Sequence, residues 1–333
     1  MSNRVLVIGG PGTLSSSTIN LLLEKKYEVA VFSRPTRFHE LPTAVRTYSG
    51  DRSQISALQE TFNIFKPDVV IDFICYQPAE ADTIKKIVQG KVRQFVFIST
   101  VDVYGYPLSH LPMPESANWH PFTQSQYAED KRLCEKVFQS TVQVDLPLTI
   151  IRPAYSFGPR FILSFTSRDY GIHLLKRLQD GRPILVPDDG KTLMHVSSAY
   201  NSGEMIATVV DAPQAINNEY TCGHPTFTTH NGYIELLATS LDVKPNIIYI
   251  PTETIVTFPE PEAKTCLLHA LTRFNVAFSI DRFLQDFPEF QWQYSLSDWA
   301  KHVIDWNKEQ GLFDIPSIEI FDDRVIASSQ KRT

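Results

Sequence analysis

The sequence has little that would anchor the protein in a membrane, a disulfide framework or a nucleic acid. Its 333 residues include four scattered cysteines without a Cys-x-x-Cys pair, so no disulfide framework, zinc site or other metal site is predicted. No apolar run is long enough to span a bilayer. The net charge of −6 and the lack of a dense Lys/Arg cluster argue against nucleic-acid binding.

The residues that are present are typical of a globular protein with two parts. With 43% hydrophobic and 20% charged residues, the composition is ordinary for a soluble chain. The first residues lead directly into a strand-like run with no signal peptide, so we expect a cytoplasmic protein. In that compartment the four cysteines are expected to be reduced and buried.

Strand-like and helix-like segments alternate along the first half. The predicted strands are Arg4–Gly9, Glu28–Phe32, Arg46–Ser49, Asp68–Phe73, Gln94–Ser99 and Leu148–Arg152. Helical patterns lie between them at Ser53–Phe65, Glu80–Val88 and Gln124–Ser140. This alternation predicts an α/β fold, a doubly wound parallel sheet whose ligands bind beyond the carboxyl ends of the strands.

A glycine-rich turn follows the first predicted strand. Gly9 and Gly12 fit the spacing Gly-x-x-Gly-x-x-Gly, but Ser15 occupies the third position. Such glycines let the backbone approach a dinucleotide pyrophosphate, which binds the free N–H groups at the helix N-terminus. The alternative is a glycine turn that only reverses the chain.

Tyr127 and Lys131 are four residues apart on a predicted helix, with Thr100 upstream at the end of a strand. Residues at this spacing share a helix face, so the lysine charge can favour ionisation of the phenol. A tyrosine ordinarily titrates near ~10, and a nearby cation would bring it closer to working pH. The pair therefore indicates an acid/base centre.

Four segments together resemble an extended short-chain dehydrogenase/reductase of the NAD-dependent epimerase/dehydratase family. In order they are Val7–Gly12, Phe97–Gly105, Tyr127–Lys131 and Arg152–Pro159; a fifth, weaker match is Gly181–Gly190 followed by Met194–Val196. The resemblance implies a Rossmann-type domain over residues 1–165 and a smaller substrate-binding domain over 166–320, interleaved with the last sheet strands. In the second domain we expect a hairpin at Gly181–Gly190. The chain is expected to end in a tail at 321–333, with Ser317–Thr333 partly frayed.

The resemblance also assigns roles to the residues of the acid/base centre. Tyr127 exchanges a proton with the substrate hydroxyl, Lys131 binds the nicotinamide ribose and lowers the pKa of Tyr127, and Thr100 hydrogen-bonds the reacting oxygen. Each also has a structural alternative: Thr100 could satisfy its strand end, and Lys131 could be solvated. The implied cofactor-binding residues are Gly9, Gly12, Thr13, Leu14, Ser33, Arg34, Arg37, Asp51, Arg52, Ile74, Cys75, Tyr76, Ser99, Tyr127, Lys131, Pro153 and Tyr155.

The end of the second strand bears on which nicotinamide cofactor is used. An acidic residue there would bind the adenosine ribose and repel a 2′-phosphate, whereas this chain has Ser33-Arg34 with Arg37 nearby. An arginine can clamp a 2′-phosphate, so the sequence favours NADP over NAD, unless Arg34 is a solvated loop residue. Asp51 resembles an adenine-binding position, with turn capping as the alternative.

Candidate substrate contacts come from cationic residues after position 159. Arg160, Arg168, Arg182 and His195 could bind an anionic group such as the diphosphate of a nucleotide sugar. Scattered arginines are also common as surface charges. Ser197-Ser198 replace the acidic pair that usually follows the position of His195 in the family.

Asp102 separates the reaction types within the family. A neutral Val101 followed by Asp102 disfavours a 4,6-dehydratase and is compatible with a decarboxylase or an epimerase, unless Asp102 only caps its turn. The function expected is therefore reversible hydride transfer at a carbinol carbon, with an NADPH-dependent reductase and a non-catalytic cofactor-binding protein as alternatives.

By resemblance we also expect a homodimer, formed through the Glu80–Val88 and Gln124–Ser140 helices.

Overall fold

The computed structural model describes residues 3–123, 125–140, 146–159 and 161–331. Short strands occur throughout the chain. They are β1 (Arg4–Ile8), β2 (Glu28–Ser33), β3 (Arg46–Ser49), β4 (Val69–Asp72), β5 (Gln94–Ile98), β6 (Leu148–Pro153), β7 (Tyr155–Phe157), β8 (Pro183–Pro187), β9 (Leu193–Met194), β10 (Val196–Ser198), β11 (Asn218–Cys222), β12 (Thr228–Thr229) and β13 (Asn246–Ile250).

Helices separate most of these strands. They are α1 (Ser15–Glu24), α2 (Ile55–Phe65), α3 (Pro78–Val88), α4 (Gln126–Gln139), α5 (Gly171–Gln179), α6 (Ala199–Thr208), α7 (His230–Ser240), α8 (Thr252–Val256), α9 (Pro261–Lys264), α10 (Asp281–Asp286), α11 (Leu296–Glu309) and α12 (Phe321–Gln330). Short 3₁₀ turns include Val101–Tyr104 after β5 and Arg168–Tyr170 before α5.

The main sheet has the order β11-β6-β5-β4-β1-β2-β3, and its strands are parallel. Strand β1 is apolar from Val5 to Ile8 and fully buried, as expected where helices cover both faces of a sheet. The chain order reverses between β1 and β4, so a crevice opens beyond their carboxyl ends. The predicted α/β fold class is confirmed.

Two apolar cores cover the faces of this sheet. One lies between the sheet and α1 and α6, and the other between the sheet and α2, α3 and α4. Helices α3 and α4 pack side by side on the second face. A third core joins α5, α7 and α11 in the C-terminal region. Because β11 pairs with β6, the chain returns to the main sheet after its first C-terminal elements.

The expected hairpin at Gly181–Gly190 does not form. Strand β8 pairs in parallel with β13, about sixty positions later. In the turn after β8, Asp188 has a φ of 53°, in the left-handed region. The Asp188 carboxylate accepts hydrogen bonds from the backbone N–H and the hydroxyl of Thr252. A tertiary contact therefore overrides the local hairpin pattern.

The C-terminal segment expected to fray contains α12, which packs against the protein. Phe321, Val325 and Ile326 are buried in a core shared with β8 and α8. Hydrogen bonds at its start join Asp322 to Thr166 and Asp323 to Arg177. The spacing of the three apolar residues places them on one helix face, which explains why this end of the chain docks.

Two expectations from composition can be compared with the described part of the chain. Among these residues no helix is long and apolar enough to cross a membrane. The four cysteines, Cys75, Cys134, Cys222 and Cys266, are buried with free thiols, as predicted.

Candidate active site

A cleft of about 280 Å³ opens beyond the carboxyl ends of β1, β4, β5 and β6. Its walls come from the residues just before α1, from α4 and from the segment after β7. The candidate residues that line it are Thr13, Leu14, Tyr76, Ser99, Thr100, Asp102, Tyr127, Lys131, Pro153, Tyr155 and Arg168. The structure thus brings the candidate acid/base residues and part of the candidate cofactor residues to one place.

The glycine turn between β1 and α1 is tightly fitted. Gly9 has a φ of +91°, and a Cβ on it would approach Ile74 Cγ2 to 2.5 Å, so a larger residue would not fit. The buried Ser15 hydroxyl lies beneath the turn, near Gly10 and Gly12. No side chain caps the start of helix α1, where the Ser16 backbone N–H donates to the Gly12 carbonyl of the turn. These features fit a dinucleotide pyrophosphate.

Lys131 is buried beside the cleft. Its Nζ donates a 2.7 Å hydrogen bond to the Ile98 carbonyl and lies 4.9 Å from the ring centroid of Tyr76 and 4.8 Å from that of Phe97. Burial lowers the pKa of Lys131. The alternative of a solvated helix lysine is therefore not what the structure shows.

Tyr127 lines the cleft near Thr100, Asp102 and Arg168. Burial raises its pKa above the ordinary value, and the Asp102 carboxylate raises it further. The contributions that lower this pKa come from the Arg168 guanidinium and from hydrogen bonding with Thr100. The Arg168 Cζ lies 5.4 Å from the Tyr127 ring centroid. The expected lowering by Lys131 is not among the main contributions.

Thr100 and Asp102 occupy the turn after β5. The Thr100 hydroxyl accepts a 3.2 Å hydrogen bond from the Asp102 backbone N–H, so the threonine caps this turn. The Asp102 carboxylate instead accepts a 2.8 Å hydrogen bond from Tyr106, whose hydroxyl lies 2.9 Å from that of Tyr155. Burial raises the pKa of Asp102. Its carboxylate is thus directed into the cleft region rather than used as a cap.

The residues at the end of β2 and just after it differ in how free their side chains are. The hydroxyl of Ser33, the last residue of β2, donates a 2.5 Å hydrogen bond to the Gly10 carbonyl and so fixes the glycine turn; it lies 3.2 Å from the Arg34 carbonyl. Arg34 is exposed, and its guanidinium makes no hydrogen bond or ion pair with a described residue. Arg37 is less available because both its Nε and Nη2 bind the Glu40 carboxylate, at 2.9 and 2.6 Å.

Two candidates after β3 have structural partners. The Asp51 carboxylate accepts hydrogen bonds from the backbone N–H and hydroxyl of Ser53, which is the turn-capping alternative. Arg52 is engaged by Asp72 at 2.7 Å and Glu80 at 3.5 Å, at the end of β4. Its expected cofactor contact is therefore replaced by an ion-pair cluster that joins β4 to α3.

Among the remaining candidate cofactor residues, Cys75 is fully buried outside the cleft lining, and Ile74 packs on Gly9. Ser99 lines the cleft, but its hydroxyl donates to buried Glu135.

The substrate candidates are not brought together. Arg168 lines the cleft, whereas Arg182 pairs with Asp323 at 3.1 Å on α12. His195 is fully buried outside the cleft lining; its Nδ1 accepts from the Phe278 N–H, its Nε2 lies 2.7 Å from the His224 carbonyl, and burial lowers its pKa to about 4. Neither residue is positioned for a substrate. Arg160 lies outside the described residues.

Sequence reasoning missed the apolar wall of the cleft. This wall consists of Phe73, Phe161, Leu163, Leu267 and Leu271. Leu267 begins a short 3₁₀ turn (Leu267–His269) far along the chain, Leu271 follows that turn, and neither belongs to a recognisable motif. Their spacing of four was the only local signal, and it is equally compatible with ordinary core packing.

Comparisons with solved structures show the same fold. An epimerase from Methanothermobacter thermautotrophicus has a TM-score of 0.77 at 16% identity, with 94% of each chain covered. The dTDP-glucose 4,6-dehydratase of Bacillus anthracis, solved with NAD, has a TM-score of 0.73 at 14% identity and covers 93% of this chain and 98% of its own.

Two curated relatives are similar over shorter regions. The 2′-dehydrokanamycin reductase of Streptomyces kanamyceticus is 31% identical over 137 residues, which are 41% of this chain and 38% of the relative. The UDP-glucose 4-epimerase of Halalkalibacterium halodurans is 30% identical over 152 residues, covering 40% of this chain and 45% of the relative. The match therefore spans less than half the length of either relative.

Residues 5–223 match the sequence profile of a family described as the NAD dependent epimerase/dehydratase family. That range contains the glycine turn, the turn after β5, the pair Tyr127–Lys131 and the strands of the main sheet. The match covers most of the chain and agrees with the fold and with the cleft. The chain belongs to the NAD dependent epimerase/dehydratase family.

Proposed function

We propose that the protein catalyses reversible hydride transfer at a carbinol carbon with a nicotinamide dinucleotide. The observation that carries this proposal is that Thr100, Asp102, Tyr127 and Lys131 line one cleft beside the glycine turn. The glycine turn and the start of α1 would hold the pyrophosphate, and Lys131 the nicotinamide ribose. The bound cofactor would supply the hydride donor and acceptor.

Tyr127 acts as the acid and base for the substrate oxygen. Because burial raises its pKa, the tyrosine carries its proton at neutral pH and can donate it to a carbonyl oxygen during reduction. In the oxidative direction it takes the proton from the carbinol hydroxyl. Thr100 donates or accepts a hydrogen bond at the same oxygen.

Two substrate classes fit this chemistry. The first is a nucleotide sugar acted on by an epimerase or a decarboxylase, with Asp102 as a second acid/base. A 4,6-dehydratase is disfavoured because the first position of the turn is the neutral Val101. The second class is a smaller metabolite reduced with NADPH. It is favoured by the cleft itself, where Arg168 is the one arginine among the described lining residues and one wall is apolar.

The two classes are distinguished by the purified protein and a small set of reporter reactions. UDP-glucose, UDP-glucuronate and dTDP-glucose are assayed without added cofactor, and 9,10-phenanthrenequinone is assayed with NADPH or NADH. Turnover of a nucleotide sugar supports the first class, and oxidation of reduced cofactor with the diketone supports the second. Absence of turnover in every reaction would count against the proposed hydride transfer.

The cofactor preference rests on Arg34, and we expect tighter binding of NADPH than of NADH. Replacing Arg34 by Ala should weaken NADPH binding about tenfold and leave NADH binding nearly unchanged, since one charge-assisted contact is removed. Nicotinamide fluorescence titrations measure both affinities. Arg37→Ala is the matched control, with a smaller effect, because Glu40 already engages that guanidinium. Tighter binding of NADH by the unmodified protein would refute the preference for NADP.

We infer that two copies associate through α3 and α4 into a homodimer. These helices pack together on one face of the sheet, and Leu133 and Val137 of α4 remain partly exposed. Sedimentation at micromolar concentration should give twice the mass of one chain. A mass of one chain would exclude the dimer.

A further inference from the structure

A network of buried charges lies directly behind the cleft. Arg152, at the end of β6, donates from Nε and Nη2 to the Glu135 carboxylate at 3.1 and 2.7 Å. Its Nη2 also contacts Glu219 of β11 at 2.7 Å, and its Nη1 donates to the Tyr104 hydroxyl at 3.0 Å. Arg152 and Glu135 are almost completely inaccessible to solvent. The network therefore joins four elements of the fold inside the protein.

The network also joins α4 to the end of β5. Glu135 lies eight residues after Tyr127 and four after Lys131, so the three side chains share one face of α4. The Ser99 hydroxyl donates a 2.5 Å hydrogen bond to Glu135 Oε1, and Lys131 donates to the carbonyl of Ile98. Ile98, the last residue of β5, and Ser99, which follows it, are therefore both hydrogen-bonded to α4, the helix that carries Tyr127.

This arrangement is an expensive way to build a core. Burying a carboxylate and a guanidinium carries a large desolvation penalty, and an apolar pair of similar size often packs at least as stably. What hydrogen bonds add is direction, because they fix the position of one element relative to another more narrowly than apolar contacts do. The residue that follows Ser99 is Thr100, which faces the cleft.

We propose that Glu135 and Ser99 are positioning residues that set the placement of Thr100 relative to Tyr127 and Lys131. This rests on the proposed hydride transfer, in which those three groups surround the reacting oxygen. Arg152 holds Glu135 in place and, through Tyr104, also anchors the turn that carries Asp102. The Ser99 hydroxyl therefore fixes the position of Thr100 through its bond to Glu135 and need not contact the cofactor.

The test is Ser99→Ala, which removes the hydrogen bond from Ser99 to Glu135 of α4 and leaves the Lys131–Ile98 bond and both Arg152–Glu135 bonds in place. We expect kcat in the reporter reaction to fall about 10- to 100-fold, since misplacement of reacting groups by about 1 Å has effects of this size. KM and the affinity for the nicotinamide cofactor should stay within about threefold of wild type, because the substrate and cofactor contacts remain.

Thr149→Val is the matched control. Thr149 is also buried, and its hydroxyl donates to the Ala215 carbonyl and accepts from Gln94, but it lies near the start of β6, away from the carboxyl ends of the strands where the cleft opens. Both variants should lose similar thermal stability, and only Ser99→Ala should lose kcat. A Ser99→Ala protein that is destabilised like the control but turns over at the wild-type rate would overturn the proposal. Tyr127→Phe is assayed in parallel: if it stays active, the proposed function itself fails, whatever Ser99→Ala does.

Discussion

A Tyr127→Phe variant should lose about 1,000-fold in kcat and still bind NADPH and NADH with wild-type affinity. The phenol carries its proton at neutral pH and lines the cleft together with Thr100, Lys131 and Asp102. Removing a general acid/base typically costs 10²- to 10⁴-fold, and this one would serve both directions of the reaction. The lost hydroxyl is no part of the glycine turn or of α1, so cofactor affinity should not change.

The control for this experiment is Tyr76→Phe. Tyr76 lines the same cleft, with its ring centroid 6.2 Å from that of Tyr127, and its hydroxyl makes no hydrogen bond within the described residues. Its variant should retain kcat within about threefold. Stopped-flow measurement of hydride transfer, together with a cofactor titration, separates the chemical step from binding. Wild-type turnover by Tyr127→Phe would refute the acid/base assignment.

The direction of the pKa shifts also predicts a pH dependence. In the oxidative direction Tyr127 must be ionised, and since burial raises its pKa, the rate should still be rising at the alkaline end of the accessible range. In the reductive direction the tyrosine must carry its proton, so the same group leaves the rate flat through neutral pH. Arg168 is the main cation that opposes the rise in this pKa, which makes the segment after β7 part of the acid/base environment.

The parts of the fold that could be predicted from sequence are those set by local patterns. Strand β1 and the glycine turn could be predicted because an apolar run, glycines and a helix start follow each other directly. The shared position of Tyr127 and Lys131 could be predicted because helical spacing alone places them on one face. The pairing of β8 with β13 and the docking of α12 are not, since each depends on a partner chosen from far along the chain.

The site shows the same division between local pattern and tertiary partner. Nothing near Arg52 or Arg182 in sequence reveals which carboxylate each will bind, so each looked free to bind a ligand. Arg37 differs, because its partner Glu40 lies only three residues later and this local pairing was overlooked. His195 looked like a substrate contact because the pattern does not show that backbone groups engage its ring nitrogens. Arg168 was found by the same reasoning and does line the cleft. The residue type suggests that a position could bind a ligand, but the hydrogen-bond and ion-pair partners of its side chain determine whether it is available to do so.

An Asp102→Asn variant should lower kcat about 100-fold and leave cofactor affinity within about twofold of wild type. Asparagine has nearly the same shape, and its oxygen can still accept the hydrogen bond from Tyr106, so the turn should keep its structure. What disappears is a titratable group beside Tyr127, and loss of a second acid/base is expected to cost at least 10²-fold. The fall should appear in kcat, because Asp102 belongs to the turn after β5 and not to the glycine turn proposed to hold the cofactor.

The pH profile gives this prediction a second readout. Burial raises the pKa of Asp102, while the Tyr106 hydrogen bond and the Arg168 charge lower it. If the carboxylate acts as a base, wild-type activity falls as pH drops through this raised pKa, and the acid limb vanishes in Asp102→Asn. Tyr106→Phe is the companion variant; removing a donor to the carboxylate should move that limb to higher pH without abolishing it. Normal turnover by Asp102→Asn would exclude a carboxylate-assisted mechanism and leave a simple epimerase or reductase that depends on Tyr127 alone.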